Sequence, residues 1–137
     1  MDTQQPGKLD QGTAYGRGPQ SHEALTTEVG PGTPCGEFMR RYWQPAALVE
    51  ELSGERPLKT IRLLGEDLVL FRDDENRYGL VGRSCSHRGV DLKFGRLEDG
   101  GLRCPLHGWL YDVDGKCLEQ PGEPPGSRVH GKIRHTA

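Results

Sequence analysis

From Arg56 onward the chain alternates short apolar runs with polar turn residues, the pattern of a small all-β domain. Strands are predicted near 58–64, 67–72, 77–81, 101–104, 109–113 and 116–119, with a weaker one at 132–135. Turn chemistry separates them: Gly65-Glu66, Asp73 to Asn76, Glu98 to Gly101 and the stretch around Gly115. "QPGEPPGS" at 120–127 carries too much Pro and Gly for a strand and reads as a surface loop.

Ahead of the β region the texture differs. Residues 1–20 are rich in Gly, Gln and Pro without apolar periodicity, and a mobile tail is expected there. A helical segment is expected over 21–55. Its first piece is a short helix at 21–29 with Ser21 as cap. The break "GPGTP" follows, and then about two turns through "CGEFMRRYWQP", with Phe38, Tyr42 and Trp43 to one side and Pro45 as the stop. The domain proper is expected over 56–137. The expected fold is therefore mainly β, a small antiparallel sandwich preceded by short helices and a disordered tail.

At 137 residues the chain has room for one domain with one modest core. A formal charge of −2 with 28% charged residues removes the basic footprint of a nucleic-acid binder. No apolar run has the length of a signal peptide or a membrane span, so a soluble, cytoplasmic protein is expected. In a reducing compartment cysteines beside histidines read as metal ligands before they read as disulfides.

Two such pairs stand in "CSHRGVDLKFGRLEDGGLRCPLHGW". Cys85 and His87 are one residue apart, Cys104 and His107 two apart, and sixteen residues lie between the pairs. Each pair falls in a loop next to a predicted strand, so two loops could clamp one metal centre. A tetrahedral Cys2His2 zinc site uses the same ligands, but zinc modules more often bring each ligand type in its own pair. Mixed pairs suit a two-iron centre in which each loop sends a thiolate to one iron and an imidazole to the other.

"CSHRG" and "CPLHGW" resemble the two boxes of a Rieske 2Fe-2S domain, with Gly89, Pro105 and Gly108 in place. The resemblance implies that Cys85 and Cys104 bind the inner iron and His87 and His107 the outer one. Rieske proteins of respiratory and photosynthetic cytochrome complexes carry an extra cysteine in each loop. Here Val90 and Leu106 stand at those positions, which excludes that disulfide. "EVGPGTPCGEFMRRYWQPAAL", "IRLLGEDLVLFRD" and "LRCPLHGWLYDVDGKCLEQPGEP" extend the likeness to the N-terminal part of phthalate dioxygenase-like oxygenase large subunits, over about residues 21–137. Cys35 replaces the Met common in "GTPMG" of that group.

What the resemblance implies is a chain that takes single electrons from a flavin and iron-sulfur reductase. It would hand them to the mononuclear Fe(II) of a ring-hydroxylating or demethylating oxygenase, in a neighbouring subunit of a trimer. The catalytic domain that would hold that Fe(II) is expected to be missing from this chain, leaving no catalytic residue here. A stand-alone Rieske ferredoxin is the alternative, and a structural zinc module a further one. His22, His130 and His135 read as solvated surface histidines, Cys117 as buried and apolar, and Cys35 as a helix-start residue. Trp109 reads either as a shield over the cluster or as ordinary core. A net charge of +2 over 83–109 fits an acidic docking patch on a redox partner, or a solvated mixed-charge loop.

Overall fold

The computed structural model describes residues 24–136. The tail at 1–20, the Ser21 cap and His22 lie outside the described residues. The first helix spans Ala24–Thr27 (α1), within the range expected for it, and the second spans Pro34–Met39 (α2). Thr33 caps α2, its hydroxyl accepting from the Gly36 N–H at 3.2 Å, and Pro34 occupies the first helical position where its missing N–H costs nothing. α2 ends before Tyr42 and Trp43, earlier than predicted, although the Phe38 and Tyr42 rings still lie 5.2 Å apart. A single 3-10 turn at Val49–Leu52 then leads into the sheets.

Two antiparallel sheets follow. The first has the order β1-β2-β3 with β1 at Leu58–Leu63, β2 at Glu66–Arg72 and β3 at Tyr78–Gly82. The second has the order β4-β5-β6-β7 with β4 at Arg96–Glu98, β5 at Gly101–Arg103, β6 at Leu110–Tyr111 and β7 at Cys117–Glu119. Both tight hairpins use two residues at positive φ, Leu64 and Gly65 between β1 and β2, Asp99 and Gly100 between β4 and β5. Mirror-image turns of this kind match the right-handed twist of the strands they join.

The sheets share one core. Val69, Phe71 and Val81 from the first sheet meet Leu102, Tyr111 and Cys117 from the second, with Leu92 and the two cysteines Cys85 and Cys104 between them. Cys117 is fully buried, as expected of a small apolar residue on its strand.

Two departures from expectation have physical causes. β4 lies outside the predicted strands, because three residues with Leu97 as the sole apolar one give no readable alternation. The strand expected at 132–135 is instead a 3-10 turn at His130–Lys132 followed by one bridge, Lys116 to Arg134. That bridge still lays the last described residues along the end of β3, where the Gly82 N–H donates to the Thr136 carbonyl at 2.7 Å.

Candidate metal centre

Two loops rise from the same end of the domain. One runs from the end of β3 through Cys85 and His87, the other joins β5 to β6 through Cys104 and His107. They are closed in the same way. The Cys85 N–H donates to the Val90 carbonyl at 2.9 Å and the Gly89 N–H to the Cys85 carbonyl at 2.8 Å. In the second loop Cys104 donates to Trp109 at 2.8 Å and Gly108 to Cys104 at 3.2 Å. Both closing glycines have left-handed backbones, φ +69° at Gly89 and +75° at Gly108, which side-chain-bearing residues enter at a cost.

This frame separates the two ligand types by depth. Cys85 and Cys104 are 3% exposed within the shared core, while His87 and His107 sit exposed at the surface. The two imidazole rings meet edge to face with centroids 4.6 Å apart. Trp109 stacks on His87 at 4.6 Å and 8°, and it also packs against the core. Its packing against the core bears out the core reading of Trp109.

Burial pushes the Cys104 thiol above the usual thiol range, with the neighbouring Cys85 adding to the rise; the Leu106 and His107 N–H groups aimed at its sulfur act the other way. Metal binding must therefore displace a held proton. Tyr111 carries its hydroxyl 3.2 Å from the Cys85 sulfur. Burial above all, then the Cys85 contact, drives that phenol far upward, so it stays protonated and can donate, while the Ser86 hydroxyl opposes the rise. Cys117 is likewise raised by burial, to about 11.

The loops are braced by ion pairs that the sequence did not announce. Arg83 grips Asp91 at 2.6 Å, and Asp91 caps the 3-10 turn at Leu92–Phe94 by accepting from the Lys93 N–H at 3.0 Å. Arg103, 8% exposed, donates 2.9 Å to the Gly108 carbonyl of the second loop and pairs with Glu98, Asp99 and Glu119. Burial works against its charge, and the three carboxylates overcome that. The net +2 along 83–109 already counts Asp91, Glu98 and Asp99, which pair with Arg83, Lys93, Arg96 and Arg103; Glu119 adds one carboxylate from outside the stretch, and among the described residues Arg88 makes no ion pair.

The donor set suits a two-metal cluster. Two buried thiols beneath two exposed imidazoles in edge-to-face contact are the ligand types such a two-iron centre takes. His130 and His135 stand apart from this set. His135 is not solvated as expected but buried, with Nδ1 2.6 Å from the Ser86 hydroxyl and Nε2 2.7 Å from the Gly82 carbonyl.

Residues 42–133 match the family model described as the Rieske 2Fe-2S domain. The chain is 50% identical over 115 residues to phenoxybenzoate dioxygenase subunit alpha of Ectopseudomonas oleovorans, covering 84% of this chain and 28% of that protein. It is 46% identical over 115 residues to the phthalate 4,5-dioxygenase oxygenase subunit of Pseudomonas putida, covering 82% of this chain and 26% of the relative. The chain therefore spans about a quarter of the length of these relatives. Among solved structures, NdmA of Pseudomonas putida CBB5 superposes with a TM-score of 0.63 at 32% identity, over 73% of this chain and 31% of that one.

Proposed function

The chain belongs to the Rieske 2Fe-2S domain family, and from that premise we propose that Cys85, His87, Cys104 and His107 hold the cluster of an oxygenase electron-transfer domain. The observation that carries the ligand assignment is the depth ordering, with a buried thiol pair beneath an exposed imidazole pair on two identically closed loops. A 2Fe-2S group so held supplies one-electron chemistry at roughly −150 to +300 mV.

The chain's own residues divide the remaining work. Cys85 and Cys104, released of their protons on assembly, anchor the buried side and keep water from it. His87 and His107 present imidazole edges to solvent, where a partner can approach. The Trp109 ring fixes the plane of His87. Arg103 and the Asp91–Arg83 pair hold the two loops in register.

The electron donor is a flavin and iron-sulfur reductase. The acceptor is the mononuclear Fe(II) of an aromatic ring-hydroxylating or demethylating oxygenase, held in a neighbouring subunit. The relatives support this route over a free ferredoxin, since those matched include subunits of dioxygenases, a monooxygenase and an O-demethylase. Among the described residues no helix is long and apolar enough to cross a membrane.

Anaerobic reconstitution of the full chain with ferrous iron and sulfide tests the reading. A red-brown protein with the EPR signal of a reduced two-iron centre is expected, lost in Cys85→Ser and Cys104→Ser. A colourless protein that binds one zinc per chain would refute it. Rapid-mixing reduction by such a reductase tests the donor.

A further inference from the structure

His135 lies far along the chain from the four proposed ligands, yet both sides of its ring lead to one of them. On one side Nδ1 stands 2.6 Å from the hydroxyl of Ser86, the residue next to Cys85. On the other, the ring face lies 4.6 Å from the ring of Tyr111, tilted by 31°, and the Tyr111 hydroxyl stands 3.2 Å from the Cys85 sulfur. A carbonyl only accepts, so Nε2 donates to Gly82 at 2.7 Å, and in the neutral ring Nδ1 is left to accept from Ser86.

The backbone holds this ring in place. The His135 N–H donates to the Gly115 carbonyl at 2.7 Å, and the neighbouring Thr136 carbonyl accepts from the Gly82 N–H at 2.7 Å. The ring is 6% exposed. A buried histidine with both nitrogens and one face engaged is a built part of the loop support.

We infer that His135 is a positioning residue for the Cys85 sulfur, holding the Ser86 hydroxyl and the Tyr111 ring so that the Tyr111 hydroxyl stays on that sulfur and eases electron uptake there. The inference rests on the proposed assignment of Cys85 as a ligand. A hydrogen bond to a ligand sulfur draws off electron density and favours the reduced, more negative state. Truncating the ring leaves a void beside Tyr111 and strips a partner from Ser86 and from Gly82, so the phenol loses its fixed aim.

The test is a redox titration of the reconstituted full chain in wild-type, His135→Ala, His135→Gln and Tyr111→Phe forms, and in the double variant of His135→Ala with Tyr111→Phe. Gln retains a donor for the Gly82 carbonyl, which keeps the C-terminal segment anchored if the Ala variant fails to fold. Both His135 variants should be harder to reduce, with the equilibrium against a reference dye shifted about tenfold, about 59 mV for one electron. In the Tyr111→Phe background the effect of His135→Ala should vanish, because the hydroxyl it acts through is gone.

A loaded His135→Ala or His135→Gln variant with the wild-type potential overturns the inference, as does a shift that persists undiminished without the Tyr111 hydroxyl. A wild-type chain that assembles no cluster overturns the proposed function and this inference with it. A loaded wild type with unshifted variants overturns this inference alone.

Discussion

Arg103→Met removes a guanidinium and keeps an apolar stem of similar length, which isolates what the charge does for the second loop. The Arg103 side chain is 9% exposed, whereas its partners Asp99, Glu119 and Glu98 are 67%, 54% and 37% exposed. Those carboxylates can rehydrate, so each pair counts as a surface pair, about 0.2–1 kcal/mol. The bond to the Gly108 carbonyl is charge-assisted and sheltered, about 1.5–3 kcal/mol. Together these give a loss of about 3 kcal/mol, read from urea unfolding of the cluster-free chain at unchanged m-value. Because the carbonyl belongs to the second loop, amide exchange at Gly108 and Trp109 should quicken while that of the first loop does not. Arg103→Lys keeps the charge without the fork and should recover less than half of the loss. A loss under about 1 kcal/mol, or equal quickening in both loops, would refute this account of Arg103 as the second loop's brace.

The closing glycines differ in a measurable way. Gly89→Ala meets only the left-handed backbone cost of about 1–2 kcal/mol, since nothing lies within 4 Å of the added methyl, whereas Gly108→Ala brings a 3.1 Å contact with Pro121 as well and should lower Tm further; equal losses would contradict the geometry. In alkali the cluster-free chain should lose stability as pH rises from about 9 to about 11, where the unfolded Cys117 thiol has ionised and the buried one has not. Two pH units correspond to on the order of 3 kcal/mol, and Cys117→Ala should flatten that slope by one proton's worth in pH-dependent urea melts. In acid the sign reverses: Arg83, above all, holds the Asp91 carboxyl below its usual range, so its contribution is present above about pH 4. It is lost as pH falls further, and Asp91→Asn should be less stable at pH 7 yet flatter below pH 4.

Strands and loop residues could be read from the chain because their signals are local. Short apolar runs bounded by turn residues marked β2 and β3, Asp99-Gly100 marked its turn, and the four Cys and His residues announced themselves by spacing. What escaped depends on contacts between distant residues. Nothing around Arg103 reveals that Glu119, sixteen positions on, would pair with it. Counting charges along 83–109 left a docking face for an acidic partner and a solvated mixed-charge loop both open, because a linear count gives totals and not pairings such as that of Arg83 with Asp91. His135 looked solvated because a histidine among Arg134 and Thr136 has no apolar neighbours in sequence, and only the bridge from Arg134 to Lys116 turns it inward.

The different spacings of the two pairs suggest two different loops, but the backbone shows one frame used twice. In each, the cysteine N–H reaches the carbonyl five residues on, and the glycine four residues on returns its N–H to the cysteine carbonyl. "CSHRG" and "CPLHG" therefore have equal length from Cys to Gly, and the histidine takes the third slot in one and the fourth in the other. That offset puts the two imidazoles edge to face above a common thiol pair, and it leaves the flat side of His87 free for Trp109. It follows that moving His87 to position 88, with Arg88 at 87, should preserve folding, because neither closing bond involves a side chain. The visible spectrum of the reconstituted chain should nonetheless be lost, because the imidazole would no longer share the exposed face with His107. Retention of the full spectrum would mean that the slot, and with it the offset between the pairs, does not matter.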